Sequence, residues 1–285
     1  METDITKLVH DVGDLVTLPD VFIRISQLIE NPDSTIDSIA QAVSQDPAFT
    51  VRLLRVANSP FYGLSSTVDT VYKAVSILGT SQIRNLALST AIASCFAGLS
   101  NKLVSMDNFW RHSLYCGLIS RNLARLAGKC DPEAVFTAGL LHDIGELVIF
   151  NKLPDMAQEA LLLVLDSGDE LAPYIAEQQV MGFDHAQVGG ELAKQWKLPL
   201  MLEESIRFHH EIQAAKQYPR EVAIVHMANI LAQMAEVHTT ELDDVSPIDP
   251  NAWEISGLSP EIVGEILQET QAEFAEAERL FFGKV

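Results

Sequence analysis

Apolar residues recur at helical spacing along nearly the whole chain, and no alternating strand pattern interrupts them. Pro19 opens a segment carrying Val21, Ile25, Leu28 and Ile29, which Asn31-Pro32-Asp33 ends. Ser34 with Asp37 opens the next, through Ile36, Ile39, Ala40 and Val43, and Asp46-Pro47 caps a third through Val51, Leu54 and Val56. Ser59 to Gly63 reads as a turn with an aromatic plug. Two further patterns, Val71 to Leu78 and Ile83 to Phe96, are split by Gly79-Thr80-Ser81. After a loop near Leu99 to Asp107, the spacing predicts helices at 108–128, 132–151, 155–167, 169–181, 185–196, 200–210 and 220–237. An acidic loop from Glu241 to Pro250 then leads to two terminal helices between Pro260 and Phe282. The fold class is therefore all-α. An N-terminal helical lobe is expected over 1–100, a helical core over 101–240, and the acidic loop with its C-terminal helices packing on that core over 241–285.

One segment breaks the apolar pattern in an informative way. Asp131-Pro132-Glu133 starts a helix whose apolar positions are Val135, Phe136, Leu140, Leu141, Ile144, Leu147 and Val148, yet His142-Asp143 sits in its middle. Gly139 and Gly145 lie three residues either side of His142. Each glycine costs about 1 kcal/mol of helix propensity against alanine. Close approach of another helix or of a ligand would offset that cost. A buried neutral histidine bonded to its neighbouring carboxylate is the plainer reading of an isolated pair.

The pair is not isolated. Of eight histidines, His112, His142, His185, His209 and His210 fall in apolar or helix-start contexts in the middle of the chain. Asp184 with Gln187 makes a capping box that puts His185 at the first helical position, where the helix dipole should favour neutral imidazole. His209-His210 ends a segment running from Pro199 through Leu200, Leu202, Ile206 and Phe208, so at least one of the two should face inward. Imidazole nitrogens and a carboxylate suit zinc, iron or manganese, and helices supply such ligands at long intervals. His10 and His238 lie outside this set and are expected to be exposed.

The ordered set, His112, then His142-Asp143, then His185, then His209-His210, resembles the HD superfamily of metal-dependent phosphohydrolases. Within it the chain is most similar to the HDOD group, a helical output module of bacterial signalling proteins. Leu18-Pro19, the stretch Ala42 to Pro47, Leu53 to Gly63, Ala74 to Gly79, Gly139 to Gly145 and Trp196-Lys197-Leu198-Pro199 carry the resemblance, which covers residues 14 to 230. It implies an HD-like helical array, a divalent metal held by His112, His142, Asp143, His185, His209 and His210, and action through a protein partner. Two departures stand out. Asn229 occupies the place of a final ligating aspartate, so a cation would be held less tightly and occupancy would be incomplete. Glu146 stands where the related HD-GYP enzymes carry lysine, and their Gly-Tyr-Pro signature is missing after His210.

The charge balance bears on partners. The chain carries 19 Lys plus Arg against 39 Asp plus Glu, a net charge of −20. Such a surface repels nucleic-acid backbones, so neither DNA nor RNA is expected. Arg121 and Arg125, an i,i+4 pair, read as part of a solvated face. The N-terminus has no signal-peptide pattern, and no apolar run approaches the roughly 20 residues that span a bilayer. With Cys95, Cys116 and Cys130 read as reduced thiols, a cytoplasmic protein is expected. The stripe Phe274, Leu280, Phe281 and Phe282 either packs on the body or forms a partner or homodimer contact.

Two functions follow from different classes. One is a non-catalytic regulatory module acting through a signalling partner. The other is a metal-dependent phosphohydrolase acting on a nucleotide or cyclic dinucleotide. The missing final carboxylate and the missing lysine favour the first. A third arrangement, a polar histidine core without any ligand, remains open at this level.

Overall fold

The computed structural model describes residues 5–13, 18–59, 67–96, 103–168, 171–237, 239 and 247–282. Among these residues there are helices and no strands, so the fold is all-α. The chain divides into two compact units. One comprises Met1–Val16 with Leu99–Ala272, the other Thr17–Gly98 with Glu273–Val285.

The smaller unit begins with α2 (Asp20–Glu30), α3 (Ile36–Ser44), α4 (Pro47–Ala57), α5 (Val71–Leu78) and α6 (Thr80–Phe96). Local chemistry sets their ends. The α3 capping box is built by Thr35 and Ser38, one residue later than the expected Ser34–Asp37 pair. Asp46 accepts from the Phe49 amide at 2.9 Å, with Pro47 at the first helical position. Gly79, at φ 82, ends α5, and α6 starts at Thr80, so the helices are parted by one residue and not three. Asn58 pairs its side-chain amide with the backbone of Val68, its Nδ2 also donating to the Leu54 carbonyl at 2.7 Å. Its Nδ2 donates to the Val68 carbonyl and its Oδ1 accepts from the Val68 amide, both at 2.7 Å. That pair closes the connection from α4 to α5. The aromatic turn expected at Ser59 to Gly63 falls mostly outside the described residues.

The larger unit is organised on α7 (Met106–Ala127), which Ser105 caps and Gly128, at φ 67, terminates. Residues Ser113 to Ala124 of α7 are all buried, Arg121 included, which corrects its expected place on a solvated face. Against α7 pack α8 (Pro132–Leu141) and α14 (Pro219–Val237). Around them lie α9 (Ile144–Lys152), α10 (Pro154–Asp166), α11 (Pro173–Met181), α12 (His185–Gln195) and α13 (Leu200–Phe208). Two helices were not anticipated from spacing: α1 (Ile5–Gly13), which packs on α9 and α12, and α15 (Pro250–Ser256). α15 begins inside the stretch read as loop, because Asp249 caps it and Pro250 occupies its first position. The expected helix at 169–181 starts only at Pro173.

The single helix expected over 132–151 is two. α8 ends at Leu141, and His142 and Asp143 form a turn before α9 begins at Ile144. The apolar positions run on across the break, since both helices are buried on nearly every side, and this hides the break from periodicity. The glycines explain the packing. A Cβ on Gly139 would meet the Cys116 carbonyl at 2.8 Å, and one on Gly145 would strike the His185 carbonyl and the Gly189 nitrogen, the latter at 2.6 Å. Both clear a path for a neighbouring helix, α7 and α12 respectively.

The last helix, α16 (Val263–Phe282), buries Phe274, while the side chains of Leu280, Phe281 and Phe282 lie outside the described set. Cys116 and Cys130 are free thiols. No helix among the described residues is long and apolar enough to cross a membrane.

Candidate metal centre

The break between α8 and α9 delivers His142 and Asp143 to the middle of the larger unit. There they meet His112 from α7, His185 from the first turn of α12, and His209 and His210 from the end of α13. His142, His185 and His209 are buried, as is Asp143, while His112 and His210 are half-buried. His10, outside the set, is exposed, and His238 lies outside the described residues.

The imidazoles share one orientation. The Nδ1–H of His142 donates to the Gly139 carbonyl and that of His209 to the Ile206 carbonyl, each at 2.8 Å. His185 Nδ1 donates to Glu177 Oε2 at 2.7 Å, and His112 Nδ1 faces Glu236 Oε2 at 3.1 Å. Nε2 therefore points inward in each. These atoms surround the Asp143 carboxylate: His142 at 2.9 Å and His112 at 3.7 Å from Oδ2, His185 at 3.3 Å and His209 at 3.5 Å from Oδ1. His210 completes the ring, its Nε2 3.0 Å from that of His185, while Tyr174 stacks on its face at 4.2 Å.

Three of these inward atoms have no hydrogen-bond partner although buried: His142 Nε2, His209 Nε2 and Asp143 Oδ1. His142 Nε2 is close to Asp143 Oδ2 without the alignment of a hydrogen bond. Leaving such atoms unsatisfied costs about 1–3 kcal/mol each. A cation at their centre removes that cost, because each atom offers a lone pair. Outward Nδ1–H bonds to carbonyls and carboxylates are also how metal-bound histidines are oriented. The donor set thus fits a divalent metal. Two groups, His112 with His142 and Asp143, and His185 with His209 and His210, each bring their ligand atoms within 4.8 Å of one another.

Electrostatics without a metal divide the cluster. Burial alone would lower the His142 imidazolium, but Asp143, with help from Cys116, outweighs it and raises it well above the usual histidine range. For His185, burial is likewise outweighed by Glu177 and Asp143, so this ring also favours its protonated form. The helix dipole was expected to keep His185 neutral; two buried carboxylates override it. Asp143 is held well below the carboxylate range, with burial opposing and the His142 and His185 charges prevailing. His209 and His210 are pushed well below the usual range by burial, then by neighbouring histidines.

A cleft of about 310 Å³ opens over the cluster, lined by His112, Asp143, His185 and His210 with Tyr174, Asn229 and others. Asn229 Oδ1 lies 3.1 Å from His112 Nε2, so the residue standing where a final aspartate was expected does sit at the centre. Glu146 also lines the cleft. Burial, then the Asp143 charge, push its carboxyl up to about 8.

Four participants escaped the sequence reading: Glu177, Glu236, Gln233 and His226. None sits in a motif. Glu177 lies eight residues before His185, and its carboxylate accepts from both the backbone and the ring of His185 at 2.7 Å. An acidic residue inside a short apolar helix beside a histidine cap was the available signal.

Residues 15–212 match the HDOD domain family. Among solved structures, a candidate phosphohydrolase from Shewanella amazonensis SB2B superposes with a TM-score of 0.75 at 26% identity, covering 96% of this chain and 97% of its own. An HDOD domain protein of unknown function from Geobacter sulfurreducens gives 0.74 at 27% identity, covering 97% and 98%. An uncharacterised protein of Treponema pallidum (strain Nichols) is 28% identical over 251 residues, which are 84% of this chain and 47% of that protein. The chain thus spans about half the length of that curated relative. With residues 15–212 matched, the chain belongs to the HDOD domain family.

Proposed function

We propose that this chain is a metal-binding HDOD module that regulates a protein partner and does not hydrolyse phosphate esters. The lining of the cleft carries the reading. Asp143, Glu146 and Glu236 contribute carboxyl groups, Asn108, Asn229 and Gln233 contribute amides, and no lysine or arginine is among the described lining residues. Phosphoester hydrolysis places cations or donors where negative charge develops. Here Glu236 would oppose that charge, and Glu146, its carboxyl raised to about 8, stands where a cation would be needed without supplying one.

His112, His142 and Asp143 on one side, and His185, His209 and His210 on the other, would hold the metal. Iron, manganese or zinc suits these donors. A bound divalent cation supplies Lewis acidity and can ionise water near neutral pH. Asn229 contributes a neutral oxygen in place of a charge, which weakens the hold and leaves occupancy incomplete.

The second reading is a phosphohydrolase acting on a nucleotide or cyclic dinucleotide. It is favoured by the intact His–Asp set and by similarity to the Shewanella candidate phosphohydrolase. Metal analysis of protein purified without a histidine tag, followed by assays with cyclic dinucleotides and a nitrophenyl phosphodiester in added manganese or iron, separates the two. The regulatory reading expects bound metal and no turnover above background. Metal-dependent turnover that disappears in folded Asp143→Ala protein would overturn it.

A further inference from the structure

His226, on α14, touches none of the inward-facing Nε2 atoms, yet both of its ring nitrogens are committed. Its Nδ1–H donates to the His209 carbonyl at 2.7 Å, and its Nε2 accepts from the Asp249 amide at 3.0 Å. A carbonyl can only accept and an amide can only donate, so the ring is fixed as the neutral Nδ1–H tautomer. The His209 carbonyl ends α13, where the helix itself leaves carbonyls without partners. That same carbonyl belongs to the peptide joining His209 to His210. The orientation of this one peptide plane aims both imidazoles. Asp249 is itself held, since it caps α15 through the Asn251 amide at 2.8 Å and accepts from Gln213 Nε2 at 2.7 Å.

We propose that His226 is a positioning residue for the His209–His210 half of the metal centre, its donating tautomer set by the Asp249 amide at the start of α15. It rests on the metal-binding reading above. The bond to the His209 carbonyl carries this role, and the Asp249 amide, by donating to Nε2, keeps the proton on Nδ1 where that bond needs it.

Three substitutions divide the two bonds. Asparagine places its amide nitrogen near the position of Nδ1 and keeps the donor to His209. Glutamine reaches the position of Nε2 and keeps the acceptor for Asp249. Phenylalanine keeps the ring volume and neither bond. Titrating untagged full-length protein with cobalt(II), followed by its visible absorption, reads affinity and ligand geometry together. His226→Asn should bind within a few-fold of wild type. His226→Gln should bind about 10- to 100-fold more weakly with an altered spectrum, the loss typical of partners that orient ligands. His226→Phe should match the glutamine variant, with melting temperatures recorded for all. Equal affinity and spectra in folded His226→Gln and wild-type protein would overturn the proposal, as would an asparagine variant as weak as the glutamine one. Failure of the wild type to bind cobalt(II) would instead defeat the metal-binding reading and this proposal with it.

Discussion

His142 Nε2 lies 2.9 Å from Asp143 Oδ2, although the two residues are consecutive in the chain and a continuous helix would turn them apart. The break between α8 and α9 makes the contact possible. Gly139 and Gly145 let α7 and α12 pack closely on either side of it. The pair is poised for a cation because the His142 Nδ1–H is already spent on the Gly139 carbonyl.

Metal binding should displace protons. His142 and His185 are both raised above the ordinary histidine value of 6.5, with burial opposing and Asp143 or Glu177 prevailing. In metal-free protein their charge stabilises the fold fully below about pH 6.5 and is lost as pH rises through the raised values. A metal needs both rings neutral, so affinity should rise with pH over the same window. Calorimetry in buffers of different ionisation enthalpy should record proton release near pH 7; a buffer-independent heat would contradict it.

Asn229→Asp should tighten metal binding. Asn229 Oδ1 is 3.1 Å from His112 Nε2, and a carboxylate there adds a charge to the His112–His142–Asp143 group. An increase of at least about 10-fold in manganese affinity is expected, on the scale by which neighbouring groups tune metal sites. Equal affinities by titration calorimetry would exclude Asn229 from the centre.

Gly145→Ala should destabilise severely. The added methyl meets the His185 carbonyl and the Gly189 nitrogen, which are backbone atoms that move only if α9 and α12 separate. A loss at or above the upper end of the roughly 1–3 kcal/mol typical of overpacking is expected. Gly264→Ala, where nothing lies within 4 Å, should be neutral or stabilise by about 0.5 kcal/mol. Urea denaturation of both variants checks the contrast.

Glu146→Gln should help most at high pH. The Glu146 carboxyl is raised from 4.5 to about 8, first by burial and then by Asp143. A raised carboxyl binds its proton more tightly when folded, so this residue lowers stability as pH climbs from about 4.5 to about 8. Glutamine removes that dependence. In chelator-treated protein, the midpoint difference between variant and wild type should grow in favour of glutamine from pH 5 to pH 8, and a constant difference would refute the assignment.

The all-α class and most helix limits were legible because capping residues and apolar spacing act locally: Asp46-Pro47, Asp131-Pro132 and the Asp184–Gln187 box all function as read. So was the candidate ligand set, since buried histidines at helix positions are chemically costly and stand out from an apolar pattern. Periodicity could not reveal the turn at His142-Asp143, where two helices are buried on nearly every side and the apolar spacing continues unbroken. Nor could it supply Glu177, Glu236 and His226. Their roles arise from hydrogen bonds to residues 8, 124 and 17 positions away, and such pairings exist only after the helices have packed. Helix signals are local in the chain, whereas the orientation of each imidazole depends on a partner that only tertiary packing brings within reach.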